Sequence, residues 1–246
     1  MSHIHLPDGV LPVWLWASGF IATIIIGAVL FQRVQKTNLS RRLPLLGMMA
    51  AVMILGASVE IVPIAYHVNL TVISGILLGP SLIFLATLVV NVVLALFGHG
   101  GITVIGLNTL VLAIEGVLGY SLFRFFWKVL KRLTPAVFIA TFLALMASTF
   151  SMIGVVSLGT SHYEELIHPG GGERPLKIDL GKQRAAQHPP GLSGEGGKEV
   201  NLRRFIAVVI PLAFVGWLLE SVITVLIARY IYRLRPDLLK LQGERA

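Results

Sequence analysis

Six apolar runs recur along the chain at about the length a helix needs to cross a bilayer core: Leu11–Val34, Leu45–Ile64, Ser81–Gly98, Ile102–Trp127, Ala136–Leu158 and Phe205–Ile231. That length is about 20 residues, and a chain that repeats it this often has no soluble core large enough to hide the result. A seventh piece, Leu70–Gly79, is too short for a comfortable crossing. It ends at Gly79-Pro80, a pair that breaks a helix because proline lacks an N–H and clashes with the preceding turn. Leu70–Gly98 therefore reads as two segments meeting at a kink. With 55% hydrophobic and only 13% charged residues among 246, the expectation is an all-α, polytopic transmembrane helix bundle of about seven membrane segments, one integral membrane domain over residues 1–246. The first run has no basic residues ahead of it and no small-residue cleavage site after it, so it reads as a retained span and not as a removable signal.

Positive charge sets the expected orientation. Arg33, Lys36, Arg41 and Arg42 follow the first run and no lysine or arginine precedes it, which places the N-terminus outside. The clusters Arg124/Lys128/Lys131/Arg132 and Arg229/Arg233/Arg235/Lys240 are then both cytoplasmic only if Leu70–Gly98 leaves and re-enters the same side. The C-terminus falls in the cytoplasm. The net charge of +8 is absorbed by these flanks, so the expectation is contact with membrane lipid and none with nucleic acid. The polar stretch 159–201, rich in Gly and Pro, reads as a flexible external loop whose His162, His168 and His188 are solvated. There is no Walker-type phosphate loop and no dinucleotide fingerprint, so the chain is not expected to hydrolyse ATP or to carry a cofactor.

Chemistry concentrates at the tip, residues 1–10, which reads MSHIHLPDGV. The chain has no cysteine, so a transition metal must be held by imidazole, carboxylate, thioether or backbone nitrogen. A terminal amine, the amide nitrogens after it and a nearby imidazole close fused chelate rings suited to divalent nickel or copper. If Met1 is retained, His3 stands at the third position; if it is removed, at the second. His5 follows two residues on, and Pro7-Asp8-Gly9 supplies a turn that can fold the tip back. His67, in YHVNL, reads equally as a metal ligand or as an interfacial histidine bonded to backbone. His99 lies between glycines and reads first as a turn residue. Glu60, Asn108, Glu115 and Glu220 sit inside apolar runs, where carboxylates are costly enough to count as functional candidates, although helix-to-helix bonding is an equal reading.

Three stretches in this order, HLPDGVLP, YHVNLTVISGILLGP and HGGITVIGLNTL, resemble the substrate-binding permease subunit of energy-coupling-factor cobalt and nickel transporters, the CbiM/NikM family. The resemblance runs from the N-terminus to about Trp127, and Gly216–Ile231 with Glu220 is similar to the family's last span. It implies an integral component of a prokaryotic cell membrane that captures Co²⁺ or Ni²⁺ as transported substrate. It also implies partners: a transmembrane coupling subunit, two cytoplasmic ATPase subunits and a small extra membrane subunit. In that family the metal is held by the terminal amine, the amide and imidazole of a histidine at the second position, and an imidazole ahead of the Gly-Pro pair. His67 matches the last, and His5 matches the N-terminal histidine when HLPDG is aligned. Met1, Ser2 and His3 then form an extension. Either the amine chelate moves to His3 with His5 as an added group, which is favoured because the free amine makes the chelate easy, or His5 keeps its place and an internal amide replaces the amine. Asp8, His99 and Asn108 are the candidates for backing the ligands by hydrogen bonds or packing.

Two rivals stand beside this reading. One is a secondary ion-coupled transporter using Glu115 and Glu220, helped by Asn108, as a relay. The other is an intramembrane metal-dependent enzyme that activates water with His67, His99 and a carboxylate, although no His-Glu-x-x-His pattern is present. Nickel and cobalt are not separated by the ligand types, which suit both.

Overall fold

The computed structural model describes residues 11–35, 39–58, 60–61, 66–98, 100–167 and 202–239. They form, in order, helices α1 (Val13–Gln35) and α2 (Leu39–Ser58), a two-residue ladder of β1 (Glu60–Ile61) and β2 (Tyr66–His67), and helices α3 (Thr71–Leu78), α4 (Pro80–Leu96), α5 (Ile105–Leu130), α6 (Leu133–Ile167), α7 (Leu202–Leu234) and α8 (Pro236–Leu239). Each of the seven apolar stretches contains a helix, although Leu45–Ile64 runs past the end of α2 at Ser58, and its Glu60 and Ile61 form β1. The short β1–β2 ladder is the one departure from an all-helical chain among the described residues.

Among the described residues four helices are long and apolar enough to cross a membrane, over Val13–Gln32, Ile105–Leu130, Leu133–Val155 and Ala213–Leu234. The apolar part of α2 (Arg42–Ser58) and α4 (Pro80–Leu96) are shorter. At 1.5 Å per residue, the 17 residues of α4 reach about 25 Å, short of a hydrocarbon core of about 30 Å. α6 continues to Ile167, past Leu158 where the apolar pattern ends, so the polar segment outside the described residues is 168–201 and not 159–201.

α5 is the hub of the bundle, packed against α1, α3, α4 and α6. Glycines let backbones meet there. A Cβ on Gly106 would lie 2.7 Å from the Gly19 carbonyl carbon of α1, and one on Gly75 of α3 would overlap the Gly116 carbonyl oxygen. Thr23 ties the first crossing by donating its hydroxyl to the Gly106 carbonyl at 2.9 Å. Such close small-residue crossings are how helices associate in lipid, where no hydrophobic force draws them together. The outward faces remain apolar: Ile21, Ile24 and Ile25 on α1 and Val215, Val222 and Leu226 on α7 are exposed. In water these faces would drive aggregation; in a bilayer they are solvated.

α3 is the element that shapes the interior. Its Thr71–Ile76 stretch is wholly buried, and at Gly79, with φ 81° and ψ 173°, the chain breaks before Pro80 opens α4. The expected kink is there. At one end of the bundle Leu11 and Leu15 pack with Val104, Leu107, Val111 and Met152. At the other, the Trp127 and Tyr232 rings stand 6.2 Å apart, and Leu239 of α8 joins Leu78 in the main core. The two basic clusters that end α5 and α7 therefore share one end.

Candidate metal centre

His67 closes the connection between α2 and α3. It pairs with Glu60 across the antiparallel ladder, and Tyr66 pairs with Ile61, so the backbone carrying the imidazole is fixed by hydrogen bonds on its own side of the turn. The side chain lines a cavity of about 160 Å³ together with Met53 and Ala57 of α2, Val90 and Leu94 of α4, Leu112 of α5, and Val68, Asn69, Thr71 and Gly100. A water molecule occupies about 30 Å³ of liquid, so this space admits a hydrated ion or a short piece of folded-back chain. Its walls are mostly apolar, with His67, Asn69 and Thr71 as the polar exceptions.

Asn69 explains why the wall holds its shape. Its Nδ2 donates to Glu115 Oε1 on α5, while its Oδ1 accepts the Thr71 backbone N–H at 2.9 Å, satisfying one of the otherwise unpaired donors at the start of α3. Ser148 of α6 hydrogen-bonds the same carboxyl group. Asn69 is 7% exposed and Glu115 0%. A carboxyl group at that depth in an apolar bundle is expensive, and these bonds are what offset the cost.

The remaining predicted residues divide cleanly. Asn108 is buried in the first turn of α5, four residues before the cavity-lining Leu112, and does not itself line the cavity. Glu220 is fully buried on α7, beside Ser221 and Thr224. His3, His5, Asp8 and His99 lie outside the described residues. Among the described residues no three His, Cys, Asp or Glu side chains converge where they could hold a metal ion. Of the expected ligands, His67 alone is located, and the structure brings it together with Asn69, which sequence reasoning missed. The signal was there: an asparagine side chain readily accepts the backbone N–H two residues on, here that of the first residue of α3.

The sequence pattern of the CbiM family, described as the cobalt uptake substrate-specific transmembrane region, matches residues 5–238. The chain belongs to the CbiM family. A CbiM-family protein is a membrane component of transition-metal uptake and not an enzyme, which sets aside the reading of His67 and His99 as a water-activating site. Among its relatives, the cobalt transport protein CbiM of Clostridium tetani is 32% identical over 146 residues, 56% of this chain and 59% of that one. A protein of Methanocorpusculum labreanum designated fused cobalt transport protein CbiMQ is 27% identical over 245 residues, 96% of this chain; the chain spans only 36% of that longer protein. Crystal structures of two transition metal transporters share the fold. One, truncated, superposes with a TM-score of 0.69 at 18% identity over 94% of this chain and 99% of its own; the other gives 0.67 at 19% identity over 94% and 93%.

Proposed function

We propose that the chain is the substrate-capture subunit of an ATP-driven importer of the energy-coupling-factor type, taking Co²⁺ or Ni²⁺ from outside the cell through His67 and the tip histidines His3 and His5. The observation that carries this is the position of His67 on a mostly apolar cavity at the end of the bundle where Leu11 is buried. Leu11, the first described residue, is buried there against Val104 and Leu107, a few residues beyond the cavity-lining Gly100. A tip of ten residues anchored at Leu11 has the reach to present its imidazoles to that cavity. Imidazole nitrogens suit both ions, and an apolar wall strips water from the bound ion and strengthens its bonds.

In this reading seven segments occupy the membrane, with α3 and α4 entering from and returning to the outer side. The cavity faces out, and the shared end carrying both basic clusters faces the cytoplasm. The partners are a transmembrane coupling subunit, two cytoplasmic ATPase subunits and a small extra membrane subunit, in the cell membrane of a prokaryote. Hydrolysis belongs to the ATPases, whose stroke reorients the bundle so that the ion leaves on the inner side. His99, Asp8 and Asn108 back the ligands.

Titration calorimetry of Ni²⁺ and Co²⁺ on the purified chain tests the capture site. His67→Ala is expected to weaken both ions by more than the roughly 10- to 100-fold seen when a group merely backing a ligand is lost, and His3→Ala and His5→Ala identify which imidazole of the tip meets it. Unchanged affinity in His67→Ala means that this ligand set is wrong.

A further inference from the structure

We infer that Glu115 is a positioning residue for the capture site, acting through Asn69 to hold His67 at the cavity wall. This rests on His67 being a ligand, as proposed above. On one side of His67 the β1–β2 ladder holds its backbone towards α2, and on the other Val68 and Asn69 lie outside regular structure up to the start of α3. What fixes the other side is the Asn69 side chain, whose two ends are bonded in opposite directions. Nδ2 reaches Glu115 on α5, and Oδ1 takes the Thr71 N–H at the head of α3. The span from His67 to Thr71 is thereby pinned to the hub helix at one point. His67, Asn69 and Thr71 all line the cavity, so the pin sets the wall itself.

The pin is built to stay closed. Glu115 is fully buried and is 46 residues from Asn69 in sequence, so its bond fixes the relative place of two elements and not a local turn. Next to it, Gly116 receives the backbone of α3 at Gly75, so α5 and α3 meet backbone to backbone beside the pin. Ser148 holds the carboxyl from the α6 side. What the wall needs from Glu115 is an acceptor oxygen at that place. An amide of the same shape supplies one, while a methyl group does not.

Calorimetry with Ni²⁺ and Co²⁺, and the visible spectrum of the bound ion, on the purified full chain separate the possibilities when thermal unfolding is followed in parallel. Glu115→Ala and Asn69→Ala are each expected to weaken binding by roughly 10- to 100-fold and to broaden or shift the ligand-field bands, because the ligand geometry loosens. The double variant is expected to be no weaker than either single one, since both cut the same link. Glu115→Gln is expected to restore wild-type affinity and spectrum, its amide oxygen accepting the Asn69 N–H. Wild-type binding in Glu115→Ala overturns the inference. So does binding in Glu115→Gln as weak as in Glu115→Ala, which would assign the effect to the charge. If Glu115→Ala does not fold, Asn69→Ala and Glu115→Gln decide alone. His67→Ala runs alongside: binding lost there but kept in Asn69→Ala overturns the positioning role and leaves the capture site standing, whereas binding kept in His67→Ala overturns the capture site first.

Discussion

Gly79 shows how much one residue decides in this fold. Its φ of 81° with ψ of 173° lies in a region that only glycine enters without cost, and beyond its own chain neighbours no atom lies within 4 Å of where a Cβ would stand. A substitution there meets no neighbour, so whatever it costs is backbone strain alone. Gly79→Ala is expected to lose on the order of 1–3 kcal/mol of stability, and Gly79→Asn no less, because asparagine tolerates the left-handed helical region and not this one. Thermal unfolding in detergent measures both; a melting temperature equal to wild type would show that the break between α3 and α4 relaxes freely. The Gly79-Pro80 pair was legible because each residue carries a local rule. The bond from Asn69 to Glu115 was not, since nothing local says which of several intramembrane polar groups will meet across 46 residues.

At the scale of elements, hydropathy located all seven apolar helices and misplaced some of their ends, for a physical reason. Hydropathy reports where lipid is tolerated, and helix termini are set by hydrogen bonding and propensity. α6 runs on through Ser161, His162, Glu164 and Glu165 to Ile167, and α2 starts at Leu39 and carries Pro44 within it. The β1–β2 ladder, two residues a side, is below any periodic signal. What the pattern could not show at all is which helices touch backbone to backbone. The contact of α3 with α5 at Gly75 and Gly116 is the one on which the cavity wall depends, because Thr71 heads α3 and Glu115 adjoins Gly116. Gly75→Ala forces these helices apart. The expected loss is about 1–3 kcal/mol, the usual cost of overpacking, together with weakened Ni²⁺ and Co²⁺ binding as the pin at Asn69 opens. Gly47→Ala, on α2 with nothing within 4 Å, is the matched control and is expected to be neutral or stabilising by up to about 1 kcal/mol. Equal behaviour of the two variants would mean that the α3–α5 contact yields without consequence for the site.

At the scale of the whole molecule, the packing and the charge pattern make the same demand independently. Sequence charge requires that the basic clusters after α5 and α7 share a side, which holds only if α3 and α4 together return the chain to the side it left. The packing satisfies this: Trp127 meets Tyr232 at the basic end, while the end of α2, the start of α3, the end of α4 and Gly100 meet around the cavity at the other. α3, at eight residues or about 12 Å, reaches inward only part of the way, and α8 packs against it from the basic end. Sidedness then becomes a measurement with an unusually clean background, because the chain has no cysteine of its own. Ile102 is 60% exposed at the cavity end, and Lys131 is exposed just past the last turn of α5. In intact cells a membrane-impermeant thiol reagent is expected to label Ile102→Cys and to spare Lys131→Cys, which becomes reactive only after the membrane is permeabilised. Labelling of both from outside would break the pairing of the basic ends with the cytoplasm. Labelling in the reverse order would turn the cavity inward, which contradicts the proposed capture of metal from outside.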